Sequence, residues 1–268
     1  MCKVIAIANQ KGGVGKTVTA ANLGSGLARS GKKVLLIDSD SQGSLSISMG
    51  IQSPDKLESS LATLIGNIIN EQEIGVDKVL INMQREVGIT NPPLWGEVNL
   101  IPGNIELSAA EVNLVNAFSR ETILRQLVDY LRTQYDYILI DCMPSLGMLT
   151  INALTCADSV LIPVQASYLP IKGLQQLIST IGRIKRQLNP KLQIEGILFT
   201  MVDARTNLAR DVMKQINDAY SSRIHFFNSY IPMSVRLAET SIEGKSIYEY
   251  DPRGKAAIAY EALIKEVM

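Results

Sequence analysis

The sequence has few of the residues that hold metals through sulfur or imidazole nitrogen. Its 268 residues include three cysteines, Cys2, Cys142 and Cys156, and one histidine, His225. The cysteines are odd in number and show no C-x-x-C spacing, which argues against a disulfide framework and a cysteine zinc site. We expect buried or incidental thiols. His225 lies in the apolar run 224–227, so we interpret it as a structural residue.

Long apolar runs and a net charge are also missing. No apolar stretch reaches the roughly 18 to 20 residues that a membrane span requires. The polar loop at residues 9–17 interrupts the N-terminal apolar run too early for a signal peptide. We therefore predict a cytoplasmic protein that does not use a membrane. The charge balance, 26 basic against 26 acidic residues, gives no overall field that would attract nucleic acid.

One stretch departs from this balance. Residues 159–194 contain no acidic residue but five basic ones. The pattern fits either a solvated helix face or a basic patch, and both interpretations stay open. The five residues are Lys172, Arg183, Lys185, Arg186 and Lys191.

Short β-branched runs alternate with longer segments of helical period, which is typical of β-α-β units around a parallel sheet. We predict a single α/β domain over residues 1–268, with a mostly parallel twisted sheet covered by helices on both faces. The least patterned region, 51–97, is predicted to form a short helix pair and a surface loop. The predicted strands are residues 3–8, 33–37, 98–101, 137–140, 159–164, 195–202 and 226–231.

The sequence K-G-G-V-G-K-T at residues 11–17 follows the first predicted strand and opens a predicted helix, residues 18–29. Glycines allow a tight turn whose N–H groups point inward, and a helix N-terminus adds partial positive charge, so this loop is suited to polyphosphate. Lys16 is placed to reach the β- and γ-phosphates, and the Thr17 hydroxyl to bind Mg²⁺. Gln10 stands where the strict phosphate-loop pattern has its first glycine, and Lys11 is an additional lysine.

Aspartates follow two further predicted strands. Asp38 and Asp40 end the second, and Asp141 ends the fourth. Ligands of parallel sheets bind beyond the carboxyl ends of the strands, so these carboxylates should lie beside the phosphate loop. Asp38 suits the water shell of Mg²⁺, Asp40 the orientation of an attacking water, and Asp141 the second magnesium-side carboxylate. Capping of a following helix is the alternative for Asp38 and Asp40. The turn 144–147 is suited to sensing the γ-phosphate.

These residues resemble the ParA/Soj branch of the deviant Walker A ATPases, a family that also includes MinD. The resemblance runs almost end to end. It rests on N-Q-K-G-G-V-G-K-T at 9–17, D-S-D-S-Q-G at 38–43, I-D at 140–141, T-I-N-A-L at 150–154, I-P-V-Q at 162–165, T-M-V-D-A-R-T-N-L at 200–208 and V-R-L-A-E at 235–239. The sequence departs from the family at Val18, Ser41, Met143 and Met233, and in a longer region at 83–99.

The resemblance implies a single P-loop NTPase domain of the ParA type. It also implies an ATPase that uses ATP and Mg²⁺ and forms an ATP-dependent homodimer, with Lys11 reaching the nucleotide of the other subunit. By resemblance, Lys11, Lys16 and Asp40 are catalytic, and Thr17, Asp38 and Asp141 serve the metal. The implied nucleotide-binding residues are Lys11, Gly12, Gly13, Val14, Gly15, Lys16, Thr17, Val18 and Pro232.

The resemblance also implies that the protein binds DNA. Arg205 and Arg236 match DNA-contacting positions of the family, and contacts to phosphate need no base reading. We therefore expect non-specific binding of double-stranded DNA by the dimer, association with the nucleoid, and hydrolysis stimulated by a ParB-type centromere-binding partner. The sequence starts just before its first strand, so we do not expect an operator-binding extension. The alternative is a MinD-like membrane-cycling ATPase.

Overall fold

The computed structural model describes residues 2–83, 85–86, 95–166 and 171–268. A seven-stranded sheet in the order β3-β6-β2-β7-β1-β8-β9 forms its centre, and only β3 runs antiparallel to its neighbour. This confirms the predicted α/β fold with a mostly parallel sheet. The strands are β1 (Lys3–Ile7), β2 (Val34–Ser39), β3 (Ile81–Asn82), β4 (Arg85–Glu86), β5 (Trp95–Gly96), β6 (Val98–Ile101), β7 (Tyr137–Cys142), β8 (Ser159–Gln165) and β9 (Gln193–Thr200).

Helices cover both faces of the sheet. They are α1 (Lys16–Arg29), α2 (Ser44–Ser48), α3 (Leu61–Ile69), α4 (Glu106–Asn116), α5 (Ile123–Leu131), α6 (Met148–Cys156), α7 (Ile171–Gln187), α8 (Asn207–Tyr220), α9 (Val235–Glu243), α10 (Ile247–Tyr250) and α11 (Lys255–Val267). Short 3-10 turns occupy Pro54–Lys56 and Val76–Lys78. No helix among these described residues combines the length and the apolar character of a membrane-crossing segment.

Two separate apolar cores explain why the strands are buried on both faces. In β1, Val4 and Ala6 pack into one core, whereas Ile5 and Ile7 pack into the other. Alternate side chains of a strand point to opposite faces, so an unbroken apolar run fills both cores at once. The first core is covered by α3 to α8, and the second by α1, α2 and α9 to α11.

The register of the three central strands brings the predicted site together. β1 pairs with β7 so that Ile7 lies opposite Asp141, and β2 pairs with β7 so that Asp38 lies opposite Asp141. The phosphate loop leaves β1 at the same edge. Two carboxylates far apart in sequence are therefore neighbours beside the loop.

Close packing fixes the helix that follows the loop. At Gly26 in α1, an added Cβ would meet Tyr248 and Ile264 too closely, so a larger residue would push α1 away from α10 and α11. The α11 side chains Ala257, Tyr260 and Leu263 are buried in the same core. The terminal helix is thus part of the packing around α1.

The predicted strand at 226–231 was wrong. This segment forms no continuous ladder with β9: Phe226 makes an isolated bridge to Ile197, and the Phe227 and Ile231 N–H groups donate to the Ile197 and Phe199 carbonyls at 3.1 and 2.8 Å. The backbone N–H groups of Asn228 and Ser229 donate instead to the Glu266 carboxylate of α11, at 2.8 and 2.9 Å. A side chain near the end of the chain therefore replaces the sheet ladder at these residues.

The region 51–97 differs in part from the predicted helix pair. Its described residues contain one α-helix, α3, with the two short 3-10 turns and the edge strand β3. β4 and β5 form a separate two-residue antiparallel ladder. The central part of the long 83–99 region, at 87–94, lies outside the described residues.

Candidate nucleotide site

The conformation of the phosphate loop depends on two glycines and on a hydrogen bond from β9. Gly13 and Gly15 have φ of 69° and 84°, the left-handed region that glycine adopts without steric cost. The Thr200 hydroxyl at the end of β9 donates to the Val14 carbonyl at 2.8 Å. The Thr200 contact ties the loop to the edge of the sheet.

Asn9 braces the first residues of the loop. Its side-chain amide donates to the Pro163 carbonyl of β8 at 2.6 Å, and its side-chain oxygen accepts the Lys11 N–H at 3.0 Å. Lys11 itself is exposed at the rim of the loop. The backbone at Lys11 is thereby fixed while its side chain faces outward from the core.

Lys16 lies inside the loop and is 7% exposed. Its Nζ donates to the Lys11 carbonyl at 3.1 Å, so the ammonium group crosses the space that the loop encloses. Burial lowers the pKa of Lys16, and the nearby Asp141 carboxylate opposes this. A polyphosphate bound in the loop would place negative charge beside the buried ammonium group and so stabilise its charged form.

Asp141 has an unusual environment. Both carboxylate oxygens are buried, and neither has a hydrogen-bond partner of acceptable geometry among the described residues. Burial and then the charge of Asp38 raise the pKa of Asp141 well above its usual value, while the nearby Thr17 hydroxyl and Lys16 partly offset the rise. A buried carboxylate without partners is costly unless a cation meets it.

Asp38 has partners where Asp141 has none. Its Oδ2 accepts bonds from the Ser46 N–H and hydroxyl at 2.8 and 2.7 Å, and its Oδ1 accepts the Asp40 N–H at 3.2 Å. Burial nevertheless raises the pKa of Asp38 to about 6. The carboxylate anchors α2 beneath the site, and this position behind Asp141 suits the water shell of a metal better than direct ligation.

Asp40 faces the open side of the site. Its Oδ1 accepts the Gln42 N–H at 3.0 Å, and the residue lines the same cavity as Lys16, Thr17 and Pro144. Asp40 is thus near enough to the phosphate site to position a water molecule.

Two adjoining cavities match the two halves of a nucleotide. A cavity of about 730 Å³ is bounded by the phosphate loop, and an apolar one of about 300 Å³ adjoins it, with Gly15, Val18 and Met201 lining both. The first is lined by Gly12, Gly13, Gly15, Lys16, Thr17, Val18, Asp40, Ser44, Ile47, Ser48, Gln52, Pro144, Met201, Ser241 and Ile242. The second is lined by Gly15, Val18, Thr200, Met201, Ile231, Pro232, Met233, Ser234, Val235, Leu237, Ala238 and Tyr260. Polyphosphate fits the first and an apolar ring the second.

The oxygen groups fit a magnesium ion. Mg²⁺ prefers oxygen ligands and keeps several waters, so it needs few protein groups. Thr17 lines the larger cavity, and its hydroxyl lies close enough to the buried Asp141 carboxylate to lower the pKa of that group. Thr17 and Asp141 are therefore the residues best placed to hold the ion.

The two arginines expected at DNA lie outside the cleft, on the surface. Arg205 is 90% exposed and Arg236 is 65% exposed. Each forms an ion pair, Arg205 with Asp203 and Arg236 with Asp251. Arg205 also lines a separate cavity of about 300 Å³ with Met233 and Lys255, among others. The arginines are accessible, but each already has a carboxylate partner.

The basic stretch at 159–194 still fits both a solvated helix face and a basic patch. Leu174, Leu177, Ile181 and Ile184 of α7 are buried at helical spacing. The basic residues on the outer face, Arg183, Lys185, Arg186 and Lys191, are exposed, and the side chain of Lys172 lies outside the described residues.

Several lining residues were not predicted from the sequence. Ser48 and Gln52 come from α2 and the turn after it, and Ile242 comes from α9. No motif marks them, because packing of distant segments brings them to the cleft. Met201 carries one signal in the structure, a φ of 51°, which is strained for a residue with a side chain.

A phosphate loop beside a buried, unpartnered aspartate at the carboxyl edge of a parallel sheet defines a P-loop nucleoside triphosphatase. The sequence matches the AAA domain family over residues 2–194. It is 43% identical over 267 residues to the sporulation initiation inhibitor protein Soj of Bacillus subtilis, covering 100% of this chain and 98% of that protein. It is 40% identical to the chromosome partitioning protein ParA of Myxococcus xanthus, covering 99% and 88%. The chain belongs to the ParA/Soj family of ATPases.

A solved structure agrees with this assignment. Cobyrinic acid a,c-diamide synthase from Mycobacterium smegmatis, with a bound ATP analogue and magnesium, matches with a TM-score of 0.81 and 33% identity. The match covers 99% of this chain and 93% of that one. The family membership confirms the ATPase activity and the family resemblance expected from the sequence.

Replacing Asp141 by asparagine should stabilise the ligand-free protein. The raised pKa means that folding disfavours the carboxylate, so the penalty is present at neutral pH and disappears as the pH falls towards the unfolded pKa near 4. We expect a gain of roughly 1–2 kcal/mol in the free energy of unfolding at pH 7.5, shrinking towards pH 4, in urea titrations.

Asp38→Asn is the matched control. Burial disfavours the charge of Asp38 as well, but the substitution sets an amide group against the Ser46 donors, so we expect this variant to be clearly less stable than Asp141→Asn. Destabilisation of similar size by both substitutions would contradict the description of Asp141 as a carboxylate without partners.

Proposed function

We propose that this protein is a partition ATPase whose ATP-bound homodimer holds double-stranded DNA without sequence preference. Hydrolysis of ATP, stimulated by a ParB-type centromere-binding protein, dissolves the dimer and releases the DNA. The observation that carries the proposal is the loop with two lysines, Lys16 inside and Lys11 at its rim, beside Asp40 and Asp141. Identity to the Soj and ParA relatives exceeds identity to the synthase, which favours partition.

The nucleotide is ATP with Mg²⁺. The amides of residues 12–17 and the Lys16 ammonium group receive the phosphates, and the apolar cavity beside Val18 and Pro232 receives the base. Thr17 and Asp141 hold the ion, with Asp38 behind them. When bound, magnesium neutralises charge that develops on the phosphates during transfer.

Lys11 acts across the dimer. Lys16 already occupies the interior of its own loop, whereas Lys11 is exposed at the rim. A second cation at the rim serves a nucleotide that faces it from another subunit, because two lysines on one triphosphate stabilise more charge than one. ATP then stabilises the dimer by mass action, and its hydrolysis removes that stabilisation.

Asp40 positions the attacking water. It lines the same cavity as the phosphate loop, and one of its carboxylate oxygens accepts the Gln42 N–H. The turn at 144–147 lies on the same cavity through Pro144, which is the place for a group that responds to the γ-phosphate. Binding and turnover are thus assigned to different residues.

The MinD-like alternative has less support. Membrane cycling on this fold calls for an amphipathic segment that is free to bind a lipid surface. The apolar face of α11 is instead packed in the core, with Ala257, Tyr260 and Leu263 buried. DNA is therefore the favoured surface for the dimer, through Arg205 and Arg236.

Lys16→Ala and Lys11→Ala should have different effects. Loss of the buried ammonium group should weaken ATP binding roughly 10- to 150-fold, the range for hydrogen bonds to charged groups. Loss of Lys11 should leave monomer binding near wild type but prevent the ATP-dependent dimer. Titration with a fluorescent ATP analogue and light scattering with ATP and Mg²⁺ measure the two effects. Normal dimerisation of the Lys11 variant would refute the role across the dimer.

Asp40→Ala should bind ATP and dimerise but lose turnover. Removing the water-positioning carboxylate should lower the hydrolysis rate by about 10²- to 10⁴-fold, while the phosphate loop remains intact. The variant should accumulate as a DNA-bound dimer. Near wild-type hydrolysis with DNA and partner present would rule Asp40 out.

Arg205→Ala and Arg236→Ala should each flatten the salt dependence of DNA binding. Each phosphate contact contributes roughly −0.9 to the slope of log K against log salt, so losing one per subunit should change the slope of a dimer by ~1.8. Losses of affinity should be alike on two DNA sequences of different composition, since no base edge is read. Unchanged slopes would place the DNA surface elsewhere, with the exposed face of α7 as the next candidate.

A further inference from the structure

Both arginines of the proposed DNA surface are already held by aspartates. The Arg205 guanidinium donates two bonds to Asp203, Nε to Oδ1 and NH2 to Oδ2, each at 2.9 Å. The Arg236 NH1 lies 3.0 Å from Asp251 Oδ1. The same arrangement thus occurs at two separate places, one before α8 and one between α9 and the turn before α11.

In each pair the carboxylate is the fixed member. The Asp203 side chain is 28% exposed against 90% for Arg205, and the Asp251 side chain is 21% exposed against 65% for Arg236. Asp203 also accepts the Arg205 backbone N–H, and its own carbonyl accepts the Thr206 hydroxyl and N–H. In both pairs the arginine side chain is therefore much more exposed to solvent than the aspartate that it binds.

We propose that Asp203 and Asp251 are counter-charges that compete with DNA phosphates for Arg205 and Arg236, and so limit the strength of DNA binding. The inference rests on the proposed function. It adds two residues that oppose DNA binding to the two that promote it.

The physical basis is competition for the same donors. A phosphate that approaches Arg205 must displace the Asp203 carboxylate or share the guanidinium with it, and in either case two negative charges lie close together. The gain from releasing DNA counterions is reduced, because the freed carboxylate attracts a cation of its own. Each pair therefore presents less effective positive charge to DNA than a bare arginine.

Weak contacts suit a dimer that must leave DNA in every cycle. The whole chain has no net charge, so the arginines are not supported by a general positive field. A monomer has two arginine–phosphate contacts, each weakened by an aspartate, and would release DNA readily. A dimer has four such contacts and would retain it. The aspartates sharpen the difference between the two states.

Asp203→Asn and Asp251→Asn test the proposal, because asparagine keeps a side-chain oxygen but removes the charge. With an ATP analogue and Mg²⁺, each substitution acts twice per dimer and should tighten binding to duplex DNA roughly 3- to 30-fold. The slope of log K against log salt should steepen by up to about 1.8. Both changes should be the same on two unrelated DNA sequences.

Two controls separate competition from a general change of charge. Asp218→Asn, at the far end of α8, makes the same change of charge on an exposed residue and should have a much smaller effect. In an Arg205→Ala background, Asp203→Asn should lose its advantage and behave like Asp218→Asn, since there is no arginine left to release. Melting temperatures near wild type verify that each variant is folded, as expected for surface ion pairs.

The outcomes distinguish the inference from the proposed function. If the arginine variants lose DNA binding but folded aspartate variants bind no tighter than the Asp218 control, the counter-charge role is wrong while the proposed function stands. If neither the arginines nor the aspartates affect binding, the DNA surface itself is misplaced. A gain from Asp203→Asn that persists without Arg205 would also overturn the proposed competition.

Discussion

Three buried charges at one edge of a parallel sheet constrain this structure. Lys16, Asp38 and Asp141 lie within the interior, and burial shifts the pKa of each towards its neutral form. Asp38 is compensated by Ser46, but both oxygens of Asp141 lack a hydrogen-bond partner in the part of the chain that the structure describes. A fold that served stability alone would replace Asp141, because an unpaired buried carboxylate costs free energy. The strand register sets Asp141 beside the phosphate loop, where we propose that a metal ion carried by the nucleotide offsets this cost.

The end of β9 links the nucleotide site to the proposed DNA surface. Thr200 bonds to the phosphate loop at Val14, and Met201 lines both nucleotide cavities in a left-handed conformation. Asp203 and Arg205 follow directly. Strained residues persist where the surroundings determine their conformation, and they are common at functional sites. Thr200, which contacts the phosphate loop, and Arg205, on the proposed DNA surface, are only five residues apart in the sequence.

Local patterns made the central features predictable. The phosphate loop and the aspartates after β2 and β7 follow from strand, glycine and helix signals within a few residues, and the structure places them together. The same reasoning failed at 226–231, where Glu266 takes the N–H groups of Asn228 and Ser229. It also missed Gln52 and Ile242 at the cleft, because contacts between segments nearly two hundred residues apart leave no local signal. The pairing of Arg205 with Asp203 was equally invisible, although the two are neighbours in sequence.

The central claim is that triphosphate, held by lysines from two subunits, joins two copies of this chain. Sedimentation velocity of the wild-type protein with Mg²⁺ and either ADP or a non-hydrolysable ATP analogue tests it most directly. The account predicts a monomer with ADP and a dimer with the analogue at the same protein concentration, with short duplex DNA co-sedimenting only with the dimer. The same oligomeric state with both nucleotides, or equal DNA binding in both, would contradict it.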